Sequence, residues 1–429
     1  MGTLFRRSQG VCRKFVCRAE DGTMVQDSGA VPRRRALAIL FGATLTNLIG
    51  FGIIIPLLPF YGQRMGASEL EIGLLFSSFS IAQLLASPLW GALSDRYGRK
   101  PFLLLGLFGA AAGYVIMALA PSLEWLFVAR IVDGACGGII TTVRAYLADI
   151  LEERERARGF GLIGAAFGIG FIAGPLVGAV LAIWGISAPA WGAATLSTVA
   201  ALWTFLGLPE PARHRTTGGG IPAWSEGIRR VWAYKPLRPF LLFDFLFWSC
   251  QAVYQTGFAL LVHRRFGLGE RHVGYLLAFV GAVGVFTQLV LVERLTRRLG
   301  DGRAFQVGIT MAAVGLGGAS VAPSVVLFVL CLIPAAVGSG ITIPTLLSVL
   351  SRAVPPAYQG SLQGVTTSLE GLARILGPLW GNGALAFSPL LSFGSAALIL
   401  GAIGVASSLY VQRLSQSDVR TESASERVG

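Results

Sequence analysis

Arg130 and Asp133 stand three residues apart inside a long apolar stretch, and Glu370 and Arg374 stand four apart inside another. On a helix Arg130, Asp133, Gly137, Thr141 and Arg144 fall on one face, within about 80° at 100° per residue. A charge near the centre of a bilayer costs about 3 kcal/mol on insertion scales, so three on one stripe imply a paired or wet surface. The chemistry such a face supports is reversible protonation of a carboxylate, Asp133, held beside a fixed cation, Arg130. A purely structural ion pair is the plain alternative. Glu370 and Arg374, with Gln363 and Thr367 on the same side, read either as a structural pair or as a second proton carrier. Asp244, Trp248, Gln251 and Gln255 share a face of a third stretch, with Phe247 and Phe258 at its edge. Amides beside aromatic rings suit an amphipathic small molecule, which wants apolar walls and a few orienting polar groups. Interhelical hydrogen bonds would also account for the two glutamines. Asn47 and Gln83 are further polar insertions in apolar surroundings.

Other chemistry is poorly provided for. A phosphate-binding loop needs Gly-Lys-Ser/Thr, and Lys14, Lys100 and Lys235 are followed by Phe, Pro and Pro. His214, His263 and His272 fall in or beside loops without a companion nucleophile or metal spacing. The five cysteines form no disulfide framework, three lie inside apolar stretches, and Cys12 and Cys17 lack metal-site companions. No enzyme activity, cofactor or metal is expected.

The elements that must position these residues follow from composition. Charged residues are 13% of the 429 and apolar residues 54%, where soluble domains carry about 25% charge. Mean hydropathy is +0.66, and the 56 glycines suit helices that pack closely in lipid. A span takes about 20 apolar residues. Twelve such stretches are expected, near 36–59, 71–92, 101–120, 124–147, 159–183, 189–208, 239–262, 273–292, 304–322, 325–350, 361–384 and 389–411.

The net charge of +13 is explained by placement rather than by a polyanionic partner. With both termini cytoplasmic, the cytoplasmic segments from Arg33 to Arg413 carry 21 Lys/Arg, while the opposite face carries Arg64, Arg264, Arg265 and Arg271. That asymmetry is the positive-inside bias, and nucleic acid is not an expected partner. Residues 1–23 hold Arg6, Arg7, Arg13, Lys14 and Arg18 without an apolar core, so no secretory signal is expected. They read as a disordered extension or as sequence upstream of a start at Met24, with an organellar presequence as the alternative.

Residues 91–100, Gly-Ala-Leu-Ser-Asp-Arg-Tyr-Gly-Arg-Lys, make a charged loop between two spans. The positions of Gly91, Leu93 and Gly98 map to Glu293, Leu295 and Gly300 at an offset of 202, a degraded copy of the loop. Gly174-Pro175-Leu176-Val177-Gly178 recurs as Gly377-Pro378-Leu379-Trp380-Gly381 at 203, the offset that also carries Gly161 to Gly364. Two matching halves are therefore expected, 36–208 and 239–412, joined by a polar linker over 209–238, with disordered ends at 1–35 and 413–429. Parallel repeats place a cavity between the halves, and rocking about it gives alternating access.

On these residues the chain resembles the major facilitator superfamily, and within it the twelve-helix drug:proton antiporters that include the tetracycline efflux proteins. The decapeptide at 91–100 matches the family's loop motif between helices 2 and 3. Arg130 with Gly134 matches the helix-4 motif, and Gly161, Gly170, Gly174, Pro175 and Gly178 match the helix-5 glycine–proline motif. Gly50, Pro56 and Pro59 resemble the helix-1 pattern. The resemblance implies an all-α integral membrane protein of the major facilitator fold, two six-helix bundles around a central cavity. It also implies two departures: tetracycline antiporters keep carboxylates in helices 1 and 3, where this chain has Asn47 and Gly113, while Asp133 and Arg144 are additions.

The expected function is proton-coupled efflux of small amphipathic compounds by a monomer in the cell (inner) membrane. Its partners are a small-molecule substrate, protons and the lipid bilayer. Asp133, Arg130, Glu370 and Arg374 would serve proton coupling. Gly91, Asp95, Arg96, Gly98, Arg99 and Lys100 would form a gate latch, with Asp95 facing a helix N-terminus or a neighbouring arginine. Gly170, Gly174 and Pro175 would act in conformational change. Asn47, Gly137, Thr141, Arg144, Asp244, Trp248, Gln251 and Gln255 would line the substrate site. A metabolite symporter or uniporter of the same superfamily, and a transport-dead membrane sensor, are the alternatives.

Overall fold

The computed structural model describes residues 33–211, 237–352, 354 and 359–408. The expected basic N-terminal segment and C-terminal tail, and most of the 209–238 linker, lie outside the described residues. Every regular element among the described residues is helical, as a chain in lipid requires, because a helix satisfies its backbone polar groups within the segment.

The elements are α1 (Arg33–Arg64), α2 (Glu69–Tyr97), α3 (Arg99–Leu119), α4 (Leu123–Ala135), α5 (Ile139–Ile150), α6 (Glu153–Leu181) and α7 (Ala188–Gly207). After the linker come α8 (Arg238–Phe266), α9 (Glu270–Phe286), α10 (Val292–Val321), α11 (Val325–Arg352) and α12 (Gln359–Phe387). The last is α13 (Leu390–Ser408), whose first turn is a π-helix. Among the described residues, ten segments are long and apolar enough to cross a bilayer. One of them, Glu270–Val321, is 52 residues long, about 78 Å at 1.5 Å per residue and more than two bilayer cores. It breaks at Gly300, whose φ is 75°, and so supplies two spans. The helix α12, which carries Glu370 and Arg374, is the twelfth.

The spans form two six-helix bundles, α1 to α7 and α8 to α13, around a central cavity. In the first, α1 packs on α6 and α7, and α4 on α2 and α3. In the second, α12 packs on α8, and α10 on α11. Two seams join the bundles, α2 against α12 and α6 against α9. The halves converge at the end opposite the 91–100 loop: α1 is buried continuously from Gly52 to Gly62 and α8 from Thr256 to Val262. Phe60 meets His263 edge-on there, with ring centroids 5.3 Å apart. The duplication is visible in the backbone, since Gly98 (φ 113°) and Gly300 (φ 75°) are both left-handed, a conformation that glycine reaches without a Cβ penalty.

Candidate functional site

The first half holds a buried ion pair. Arg130 lies one turn before α4 stops, and its Nη1 donates to Asp133 Oδ2 at 2.8 Å. The two residues are only 2% and 4% exposed. The guanidinium lies over the Phe79 ring, 4.2 Å from its centroid, and its Nε has no protein partner. Three helices enclose the pair because small residues let them approach: a Cβ on Gly113 of α3 would stand 2.9 Å from the Asp133 Cβ, and one on Gly134 would collide with the Phe79 carbonyl of α2. Asp133 thus takes up volume that Gly113 leaves free.

The expected polar stripe does not continue beyond this pair. The helix breaks at Cys136–Gly138, so the 100° register that aligned Gly137, Thr141 and Arg144 with Arg130 is lost. At the break the Gly137 carbonyl accepts from Gln83 Nε2 at 3.0 Å, which occupies the polar insertion of α2. Thr141 and Arg144 lie exposed on α5. The Arg130–Asp133 pair is enclosed within its own half rather than spread along a wet face.

A second cluster lies in the second half, with one charge of the first half within electrostatic reach. Glu370 Oε2 pairs with Arg374 Nη2 at 3.5 Å, and the Arg374 guanidinium sits 5.7 Å from the Trp248 ring centroid. Arg144 of the first half lies within electrostatic reach of Glu370. Asp244 is 5% exposed; Trp248 and Glu370 are its neighbours, and its Oδ2 has no protein partner. One turn further along α8, Gln251 Oε1 accepts from Ser339 Oγ of α11 at 3.3 Å. Asp244, Trp248, Glu370, Arg374 and Arg144, expected on three separate spans, therefore form one constellation. Gln255 and Asn47 are half-buried. Aromatic rings, amides and charges of both signs are the side-chain chemistry that binding an amphipathic solute would call on.

The charged loop is a network internal to the first half. Asp95 pairs with Arg99 one turn on, and Arg99 Nε also binds Asp149 Oδ2 of α5 at 2.9 Å, while its Nη1 donates to Ser94 Oγ at 2.9 Å. Asp95 thus faces an arginine; the acid at the α3 N-terminus is Glu210, three residues beyond the end of α7. Its Oε1 and Oε2 accept from the backbone N–H groups of Arg99 and Lys100 at 2.5 and 3.0 Å. Two orphan donors and the positive helix end are satisfied by one carboxylate. Arg96 and Lys100 lie over the rings of Tyr97 and Phe205. A Cβ on Gly91 would meet nothing within 4 Å.

The helix-5 glycines lie against α1, with Pro175 at the α6–α9 seam. Cβ atoms on Gly170 and Gly174 would stand 2.7 Å from Leu48 Cβ and Gly52 Cα of α1, so α6 lies against α1 at backbone contact. On its other side, the Pro175 carbonyl would be 2.7 Å from a Cβ on Gly274 of α9. The second half repeats this, with the Pro378 carbonyl of α12 2.6 Å from a Cβ on Gly73 of α2. Gly73 and Gly274 escape a reading of motifs because single glycines in a glycine-rich chain carry no signal. Glu210 and Asp149 escape it too, although each is an acid bordering a basic loop.

Comparison with known proteins agrees with this architecture. A model of the Major Facilitator Superfamily matches residues 40–378. The class G tetracycline resistance protein of Vibrio anguillarum is 36% identical over 342 residues, 78% of this chain and 86% of that one. The class C tetracycline resistance protein of Escherichia coli is 33% identical over 350 residues, covering 80% and 88%. Among solved structures, a bacterial homologue of the human lysosomal transporter Spinster superposes with a TM-score of 0.74 at 17% identity, covering 89% of this chain and 97% of that one. The matched residues contain the charged loop, the buried pair and the seam glycines, and the chain belongs to the Major Facilitator Superfamily, a multi-pass membrane transporter of small molecules.

Proposed function

We propose that the protein exports small amphipathic compounds, multidrug or tetracycline-like, in exchange for protons. The observation that carries this reading is the buried Arg130–Asp133 pair. An aspartate 4% exposed, with one cation 2.8 Å away, is held in one of two states, paired and charged or protonated and released. Tetracycline resistance proteins at 33% and 36% identity support the solute class. In this reading the halves are 36–208 and 239–412, the basic loops and both termini face the cytoplasm of a cell (inner) membrane, and the protein works as a monomer.

In the cycle, solute enters from the cytoplasmic side and binds among Asp244, Trp248, Gln251, Glu370, Arg374 and Arg144, with Asn47, Thr141 and Gln255 on the approach. Rocking about the α2–α12 and α6–α9 seams exposes it to the other side. A proton taken up there by Asp133 frees Arg130 and resets the transporter, with Glu370 as the second candidate carrier. The 91–100 network, with Arg99 on both Asp95 and Asp149, ties α2 to α5 in the present state and would be remade in the other.

Everted membrane vesicles energised to be acidic inside test the direction. Accumulation of labelled tetracycline or a cationic dye, abolished by a protonophore, is expected; uptake only in right-side-out vesicles would overturn export.

A further inference from the structure

The end at which the halves converge carries a charge arrangement that the export reading does not use. The turn after α1 reads Arg64-Met65-Gly66-Ala67-Ser68-Glu69, and the turn after α8 reads Arg265-Phe266-Gly267-Leu268-Gly269-Glu270. The two are 201 residues apart, within two residues of the repeat offsets of 202 and 203. Gly66 (φ 80°) and Gly267 (φ 67°) are both left-handed, so the turns share backbone as well as pattern.

Each glutamate reaches across to the other half. Glu270 Oε1 accepts from Arg64 Nη2 at 2.8 Å, and Glu69 Oε1 lies 3.7 Å from Arg264 Nη1. At the repeat position itself, Arg265 turns inward and donates to the Ser320 carbonyl at 2.7 Å; Arg264 makes the contact instead, with its Nη1 also donating to the Leu385 carbonyl of α12 at 2.9 Å. Glu71, the other acid of the first turn, is occupied by its capping box with Ser68. Among the described residues these are the ion pairs that bridge the halves. The side chains are 60% and 23% exposed in one pair, 48% and 31% in the other. Pairs this wet are weak and salt-sensitive, which suits contacts that break in every cycle.

Each arginine also has a glutamate within its own turn, Glu69 five residues after Arg64 and Glu270 six residues after Arg264, on the far side of a tight reversal. We propose that the two turns form a partner-exchanging latch: with this end closed each glutamate holds the other half's arginine, and with it open each arginine falls back on the glutamate of its own turn. No charge is left unpaired in either state, so closed and open differ little in energy. A two-state transporter needs that balance, because an equilibrium strongly biased to one side takes several orders of magnitude of differential binding to reverse.

The exchange is tested by two charge swaps in full-length protein in nanodiscs. Spin labels on cysteines placed at Ala67 and Leu268, in a background lacking native cysteines, report the separation of the turns. Arg64→Glu with Glu270→Arg rebuilds the cross-half pair but sets like charges together within each turn, so the closed fraction should rise. Arg64→Glu with Glu69→Arg rebuilds a pair within the turn but sets like charges across the halves, so the open fraction should rise. The expected change in the closed-to-open ratio is a factor of ~5–30 in opposite directions, shrinking at ~1 M salt, where the screening length falls to about 3 Å. A simple cross-half latch would leave the first swap like wild type; that result, or equal distance distributions in both swaps, overturns the exchange. The readout needs no substrate and no proton gradient, so its failure is distinct from failure of the export reading, which flux measures.

Discussion

The carbonyl oxygen of Pro175 in α6 stands 2.7 Å from where a Cβ on Gly274 of α9 would be. Its counterpart is Pro378 of α12 against Gly73 of α2, at 2.6 Å. The bundles therefore touch backbone to backbone along both seams, and rocking must slide these contacts rather than part bulky side chains.

Adding one methyl at a seam should jam it. Gly274→Ala and Gly73→Ala each place a carbon inside contact distance of a carbonyl, an overpacking that costs about 1–3 kcal/mol when the backbone must shift. The expected outcome is a folded, monodisperse protein with transport reduced about tenfold or more. Gly284→Ala, with nothing within 4 Å of its Cβ, should leave both melting temperature and flux unchanged. Purified variants assayed by thermal unfolding and liposome flux check all three.

The Arg130–Asp133 pair predicts a non-additive stability pattern. Asp133→Asn leaves a guanidinium 2% exposed without a charge partner, and breaking a buried pair from one side costs about 3–5 kcal/mol. Replacing both, Arg130→Gln with Asp133→Asn, removes the stranded charge and should recover most of that loss. A double-mutant cycle on unfolding in detergent measures the coupling, which should reach about 2 kcal/mol or more; additive effects would contradict the pairing.

Glu210 should matter through the helix it caps. Glu210→Ala removes the acceptor for the Arg99 and Lys100 N–H groups, a capping loss of about 0.5–2 kcal/mol. Amide exchange in the first turn of α3 should accelerate about tenfold while the end of α3 near Leu119 is unaffected. Unchanged protection at Arg99 and Lys100 would show that water caps the helix equally well.

The loop network predicts that lysine cannot replace Arg99. Arg99 engages Asp95, Asp149 and Ser94 at once, and a lysine offers one ammonium in place of a planar fork. Arg99→Lys should lower transport several-fold at unchanged expression, and Asp149→Asn should do the same although it lies outside the motif. Full activity of Asp149→Asn would remove α5 from the latch.

Much of this fold is legible in the residues, because lipid leaves the chain few options. Apolar stretches of about 20 residues must be helices, and the repeated Gly-Pro segments at 174–178 and 377–381 disclose the duplication. The break at Cys136–Gly138 is less legible: helical periodicity carries Arg130 through to Arg144 only if the helix is continuous, and three small residues in a glycine-rich chain do not announce a break. The cluster of Asp244, Trp248, Glu370, Arg374 and Arg144 is illegible for another reason. Its members come from three spans, and periodicity says which residues share a face but not which faces meet. Glu210 shows the same limit, since a carboxylate that caps a helix from 111 residues away leaves no local pattern at the helix it caps.

The most direct test of the export account follows proton movement in liposomes holding the purified protein under an imposed pH gradient. Tetracycline, common antibiotics and cationic dyes are added in turn while lumenal pH is recorded. The account predicts compound-dependent proton flux in the wild type that is lost in Asp133→Asn, while that variant still binds the compound. Compound-dependent proton flux persisting in Asp133→Asn, or a folded wild type that moves no protons with any compound, would contradict it.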